Sequence, residues 1–499
     1  MSQSLLIGID IGTSSIKVVA VDFAGEVLSV TNTPISLDVP LPGWSEQNPE
    51  DWWSATCVGI RQLLINIDAP EVFGIGISGQ MHSLVALDAD QQVLRPSILW
   101  NDVRTKAEAN SIIGIVGEDA LRRFTGNPAL EGFTATKLMW MRSHEPELFD
   151  RLTYVLMPKD YIRLRLTGEI ASDPSDASGT LLFDVANNRW SSEILSALAI
   201  DPELLPTIVE SSEIVGSVTK ESARETGLKV GIPVIAGGAD NAMAAVGAGV
   251  CSPENMLISL GTSGTVVAPV RSATSDPETR IHLMRHVIPE TWYLMGVVLS
   301  AGAALDWWRR SSGCADFDQL ILEAGNVEVG SGGVTFLPYL TGERTPHADA
   351  NARGVFFGIH SGTARAHMTR AVMEGVSFAL NDSLCLIKNL EANVSKAVAV
   401  GGGVSSPIWL HMLSDVMNLP LRTITPKGGA VLGAAMLASV GTGIFDNVSD
   451  VFNAWLNDSL IVSPDACRRQ SYDDAYVRYR TLYPALREIF SEQTFQAHQ

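Results

Sequence analysis

The 499-residue sequence predicts an α/β protein of two large domains of one design, facing each other across a cleft. Three observations carry this. The length exceeds what a single growing core supports, so two domains are expected. Apolar residues make up 46% and charged residues 18%, a globular and core-rich balance. Each half also runs through the same order of elements: a hairpin, a further strand, an amphipathic helix, and a strand ending in glycine.

In the first half, LLIGI (5–9) and IKVVAV (16–21) are apolar, β-branched runs around a short Gly/Ser/Thr turn, which predicts a hairpin. FAGEVLSV (23–30) adds a turn and a strand. In PEDWWSATCVGIRQLLINI, Pro49 stands near the start, and Trp53, Cys57, Ile60, Leu64 and Ile67 form one stripe. That spacing predicts a helix over 49–67 that packs a face onto a sheet. FGIGISGQ (73–80) reads as a buried strand running into glycine. The second half repeats the order. MLISLGTSGTVVAPV (256–270) is the hairpin and WYLMGVVLS (292–300) the added strand. Val372, Val376, Leu380, Leu384 and Ile387 predict a helix over 365–388, and AVAVGGG (397–403) is the strand ending in glycine. The domains are placed at 1–245 and 246–499, with GAGVCSPEN breaking the helical pattern between them. Residues 105–230, with helical stretches such as TKLMWMRSH, read as insertion material on the first domain.

The net charge of −20 argues against non-specific binding to nucleic acid or to an anionic membrane surface. No run of about 18 apolar residues predicts a membrane span. The N-terminal residues do not have the pattern of a signal peptide. Five scattered cysteines without a CxxC pair fit reduced thiols, and the expected location is cytoplasmic.

Gly-Thr-Ser interrupts both hairpins, as Gly12, Thr13 and Ser14 and again as Gly261, Thr262 and Ser263. Such a turn presents several backbone N–H groups to one concavity and can hold phosphate oxygens without lysine. Each turn alone also reads as an ordinary hairpin turn. Their occurrence at matching places in two matching halves favours a pair of phosphate grips. Neither is a GxxxxGK[ST] loop or a GxGxxG fingerprint. Asp10 either hydrogen-bonds its own turn or joins an Mg²⁺ shell, which takes one or two carboxylates beside phosphate oxygens. Lys17 is either a further phosphate contact or a solvated lysine on a strand edge. Asp240, in VIAGGADNAM, reads as a helix N-cap or as a carboxylate able to take the proton of a hydroxyl being phosphorylated. SGQMHSLVALD sets Gln80, Met81 and His82 after a buried strand, and ILWNDVRT adds Trp100, Asp102 and Arg104. A Met beside a lone His also reads as core packing; together the set suits a small hydroxylated substrate.

DIGTSSIKV, GQMH, AGGADNA, SLGTSG, FLPYLTGERTPH and AVGGGVSSPIW resemble the FGGY carbohydrate kinases. GFTATKLMWMRSH (132–144) and GVFFGIHSGTARAHMTRAVME (354–374) are similar to that family's two signatures, and the resemblance runs in order from residue 7 to about 440. Within the family, GWSEQNPEDWW, LMPKDYIRLRLTGE and SDPSDASGT are most similar to members acting on D-xylulose, while Ser83 after GQMH also resembles the gluconate kinases. The resemblance implies an actin-like ATPase fold of two ribonuclease-H-like domains, with the sugar mostly on the first and ATP with Mg²⁺ on the second. It implies ATP-dependent phosphorylation of D-xylulose to D-xylulose 5-phosphate. The alternatives are another sugar or sugar acid of the family, such as gluconate or ribulose, and a non-enzymatic actin-like nucleotide switch. By the same resemblance Asp240 is the catalytic base, and Met81, His82 and nearby Asn241 bind the sugar. Asp10 goes with Mg²⁺, and the two turns hold phosphate. Gly302, Gly402, Gly403 and Ser406 lie on the nucleoside side, and a homodimer is implied.

Overall fold

The computed structural model describes residues 3–314, 316–390 and 392–492. Both hairpins form where the apolar runs place them. In the first half, β1 (Gln3–Ile11) pairs antiparallel with β2 (Ser15–Asp22), in a register that sets Asp10 opposite Lys17. β3 (Val27–Pro34) extends the meander, and helix α1 (Pro49–Ile65) packs on β2 and β3, capped by Asn48, whose side chain accepts from the Glu50 N–H. β4 (Pro70–Gly79) returns parallel to β1 and sets Ser78 beside Asp10. The predicted insertion departs from expectation. Helix α2 (Thr134–His144) does elaborate the domain, but helix α3 (Pro158–Thr167) packs directly on the sheet, and β5 (Ile214–Ser217) with β6 (Pro233–Ile235) completes it in the order β5-β6-β4-β1-β2-β3. On α3, Lys159, Asp160 and Arg163 are buried and joined by ion pairs, while Arg165 pairs with Glu50 at the surface.

Helix α4 (Asp240–Gly247) ends the first half. The second repeats the design: β7 (Asn255–Leu260) and β8 (Gly264–Val270) form the hairpin, and β9 (His282–Arg285) pairs with β10 (Trp292–Val298). Helix α5 (Gly302–Ser311) follows, and α6 (Arg365–Asn389) packs on β8 and β10 as α1 does on β2 and β3. β11 (Lys396–Val400) runs parallel to β7. After helix α7 (Pro407–Met417), β12 (Leu421–Thr425) extends the sheet. Helix α8 (Gly429–Gly441) and β13 (Asn457–Val462) then give the order β9-β10-β8-β7-β11-β12-β13. All five cysteines are free, and among the described residues no helix is long and apolar enough to cross a membrane.

Helix α8 lies against the first sheet although it comes late in the chain, and it pairs with α4. Glycines make this possible. A Cβ on Gly8 would stand 2.1 Å from the Val431 carbonyl oxygen, and one on Gly76 would stand 1.9 Å from that of Ala434. Leu6, Val19 and Val21 of the first sheet therefore share one apolar cluster with α4, α8 and Leu257, Val267 and Val398 of the second. Because the obstacle at Gly76 is helix backbone, Gly76→Ala is expected to destabilise by roughly 1–3 kcal/mol, the usual cost of overpacking. Thermal unfolding checks this: the midpoint should fall by several degrees, on the order of 2–4 °C per kcal/mol, and an unchanged midpoint would mean that α8 lifts freely.

Candidate active site

In both Gly-Thr-Ser turns the glycine amide closes the turn, across three residues in the first and two in the second. The Gly12 N–H donates to the Ser15 carbonyl and the Gly261 N–H to that of Ser263, both at 3.1 Å. Among the described residues the amides of Thr13, Ser14, Thr262 and Ser263 find no acceptor. Each turn thus offers two consecutive amides to solvent, the donor set an anion requires. A Cβ on Gly302 would meet the Gly261 carbonyl oxygen at 2.5 Å, so glycine there lets α5 start against the second turn. Beside that turn lies a cavity of about 1180 Å³ lined by Gly261, Thr262, Gly302, Gly402, Gly403 and Ser406 among others. Six expected nucleotide-side residues from three chain segments thus meet in one space. Asp306, Phe317, Ile321 and Trp409 also line it, and sequence reasoning had not singled them out. Lys17 is exposed on β2, across from Asp10.

Asp10 and Asp240 are close enough for the charge of one to bear on the other. One carboxylate oxygen of Asp10 is buried without a hydrogen-bond partner. Burial pushes the Asp10 carboxyl above its ordinary range, opposed by Ser78 and Lys17. Asp240 opens α4 just after Gly238–Ala239, which pair with the end of β4. Gly237, at φ 79°, makes the turn: a Cβ there would stand 2.1 Å from the Ile77 carbonyl oxygen. Loss of water around Asp240, and then the charge of Asp10, raise its pKa to about 7, against hydrogen bonds donated by the Asn241 amide and side chain.

A chain of contacts leads away from Asp240. Asn241 Nδ2 lies 3.8 Å from the Met81 sulfur, and His82 follows in the left-handed region at φ 67°. That strained backbone is held from outside: Lys137 Nζ donates to the His82 carbonyl at 2.7 Å and to the Gly132 carbonyl at 2.6 Å, and Thr134 Oγ1 donates to His82 at 3.0 Å. His82 Nδ1 lies 2.6 Å from the Gly179 carbonyl, which can only accept, so Nδ1 carries the proton and Nε2 is an acceptor. Burial first, then the positive charges of Lys137 and Arg344, push its pKa down to about 3, so the ring stays neutral. The ring packs on Phe133 at 4.6 Å, and Phe133 in turn on His282 of the second sheet at 6.0 Å. His282 Nδ1 is 2.8 Å from Asn127 Oδ1, and burial likewise holds this imidazole neutral.

Two residues expected at the sugar, Gln80 and Asp102, are buried and engaged within the protein. Gln80 is 2% exposed; its oxygen accepts from Thr13 Oγ1 and Ser83 Oγ, and its amide donates to Gln47. Asp102, 1% exposed, accepts from the Ser45 N–H and from the Arg104 guanidinium. Both are expected in the pocket from the sequence; Gln80 instead binds the side chains of Thr13, Ser83 and Gln47, and Asp102 the Ser45 amide and Arg104. Trp100 does reach the cleft, and its indole N–H donates to Thr13 Oγ1 at 2.9 Å, tying this wall to the first turn. Sequence reasoning missed Phe133, Lys137, His282 and Arg344. Lys137 and Arg344 lie inside stretches quoted above for their family likeness; nothing in RIHLMRH marks His282.

Comparison with known proteins gives two family matches. The model for the "FGGY family of carbohydrate kinases, N-terminal domain" covers residues 5–247, and that for the C-terminal domain covers residues 256–442. A xylulose kinase of Escherichia coli (strain K12) is 40% identical over 97% of this chain and 99% of its own. The structure of xylulose kinase from Rhodospirillum rubrum has a TM-score of 0.92 at 30% identity, covering 98% of this chain and 100% of that one. The structure of gluconate kinase from Lactobacillus acidophilus has a TM-score of 0.94 at 27% identity, with 98% and 100% covered.

Proposed function

From the premise that the chain belongs to the FGGY family of carbohydrate kinases and is a sugar kinase, we propose that it phosphorylates D-xylulose at the 5-hydroxyl, yielding D-xylulose 5-phosphate and ADP. The observation that carries this reading is the position of Asp240. It stands next to Asn241, which touches Met81, and within reach of the charge of Asp10, at the end of the strand that leads into the first Gly-Thr-Ser turn.

Phosphoryl transfer asks mainly for positioning and charge stabilisation. The nucleoside of ATP fills the cavity lined by Gly302, Gly402, Gly403 and Ser406. The amides of Thr262 and Ser263 take phosphate oxygens from one side, and those of Thr13 and Ser14, with Lys17 near, from the other. Met81, His82, Trp100 and Asn241 hold the sugar with its terminal hydroxyl at Asp240. Asp240 accepts the hydroxyl proton as the oxygen's electron pair forms the bond to phosphorus, and the bond to the ADP oxygen breaks. Among the described residues no group of three His, Cys, Asp or Glu is gathered to hold a metal by protein ligands alone. The unpartnered Asp10 oxygen fits an Mg²⁺ that takes its other ligands from phosphate and water. When bound, the ion offsets phosphate charge. The free thiols suit a cytoplasmic setting.

A coupled assay of ADP release over D-xylulose, ribulose, gluconate and glycerol tests the function. ADP release that depends on D-xylulose, with the largest kcat/KM of the set, is expected. Release indifferent to every acceptor would point to a nucleotide switch instead.

A further inference from the structure

The contacts give the sugar pocket a direction. Asp240 and Asn241 stand at one end; Met81 and then His82 follow, and beyond them Phe133 and His282. Arg344 lies at this far end. It comes from the second half of the chain, on the segment that Thr345 anchors to Val297 by backbone and hydroxyl hydrogen bonds of 3.0 Å each. Its Nη2 is 3.9 Å from where a Cβ on Gly132 would stand, on the loop that leads to Phe133. Its charge is felt by both His82 and His282.

Arg344 is unusual in having no partner. Among the described residues its guanidinium makes no hydrogen bond and no ion pair, although the side chain is only partly exposed. Elsewhere in the pocket wall, cations are engaged: Arg104 with Asp102 and Glu46, Lys137 with two carbonyls. The carboxyls that bear on Arg344 are Glu131 and Glu343. Glu343 gives one oxygen to the Leu299 and Arg344 amides, and burial raises its pKa to about 8, so it supplies little charge. Beside this cation, the two imidazoles are neutral and each keeps Nε2 as an acceptor. Five N–H donors in a planar fork, with two acceptors close by, match an end of a molecule that carries a carbonyl oxygen next to a hydroxyl.

We propose that Arg344 is a specificity-determining residue that grips the carbonyl-bearing end of the acceptor, the end away from the hydroxyl that is phosphorylated. The same unpartnered cation makes the pocket a receptor for the aldonic acid of that sugar, whose carboxylate occupies the place of the carbonyl. This rests on the sugar-kinase reading above. It adds that recognition of the far end comes from the second half of the molecule, so the pocket is complete only when both halves are in place.

The test compares wild type with Arg344→Gln and Arg344→Lys. In steady-state assays Arg344→Gln should raise the KM for D-xylulose by roughly 10- to 100-fold, the range for losing a charged hydrogen bond. Its kcat should stay within about threefold, with Arg344→Lys in between. The thermal unfolding midpoint of both variants should match that of wild type, which separates lost recognition from misfolding. Calorimetric titration with D-xylonate in the absence of ATP reads the same residue without turnover. Wild type should bind it and Arg344→Gln should bind at least tenfold more weakly. Equal binding by both, or no binding by wild type, overturns the assignment. If wild type binds D-xylonate through Arg344 but does not phosphorylate D-xylulose, the xylulose reading fails and the role of Arg344 stands.

Discussion

Replacing Asp240 with Asn is expected to cut turnover by about 10²–10⁴, the usual range for removing general acid–base help, while leaving fold and ATP binding intact. Asn keeps the size and the hydrogen-bonding capacity of the side chain at the head of α4, so the contacts with Asn241 persist. Asp240 is not among the residues lining the cavity proposed for the nucleotide, and so ATP affinity should not change. The proton acceptor alone is lost. The raised pKa of about 7 gives a second readout. A base works only when deprotonated, so wild-type kcat/KM should fall as pH drops through 7, about tenfold per unit, and level off above it. The residual activity of Asp240→Asn should lack that acid limb. Near-normal turnover, or an acid limb that survives in the variant, would remove Asp240 from the role of base.

The second large effect is on stability. Lys159→Met should destabilise the protein by about 3–5 kcal/mol, the cost of breaking a buried ion pair by removing one partner. Lys159 is wholly buried, with Asp160 at 2.5 Å, Asp173 at 2.9 Å and Asp176 at 3.5 Å. Arg163 joins Asp160 at 2.8 Å. Burial alone would lower the pKa of the Lys159 amine, but the three carboxyls outweigh it and hold it above its usual value. Burial drives the pKa of Asp176 upward, opposed by the charge of Lys159. Without Lys159, Asp173 would retain only the hydroxyls of Ser175 and Ser211 and nearby amides. Because Ser175 Oγ also accepts from the Ala239 amide, the damage reaches the residue next to Asp240. Chemical denaturation measures the loss, and a midpoint equal to wild type would mean that the cluster is hydrated in solution.

The repeated architecture was legible because its signals are local. Alternation and stripe spacing fixed β1, β2, α1 and β4, and their counterparts β7, β8, α6 and β11, within a few residues. Asp10, the two turns and the glycines of AVGGG could be found because each sits at the end of a strand. What escaped was set by distance in sequence. The buried charge cluster on α3 had no local signal, because Lys159 finds Asp173 and Asp176 on another segment of the chain. Arg344 and His282 were invisible as pocket residues, since neither stands near a motif of the first half. Gln80 and Asp102 show the converse: a polar residue at a strand end can face inward to hold a loop.

The seam between α4 and α8 also has a mechanical consequence. A Cβ on Gly433 would lie 2.0 Å from the Met243 carbonyl oxygen, and one on Gly247 would lie 2.1 Å from that of Gly429. At these points main chain rests on main chain, with no side chain lodged in a groove of the other helix. Interlocked ridges hold a helix pair at a preferred angle; a smooth bearing has no such detents. At Gly247 and Gly433 themselves no side chain interlocks the two helices, so these two points do not fix the crossing angle.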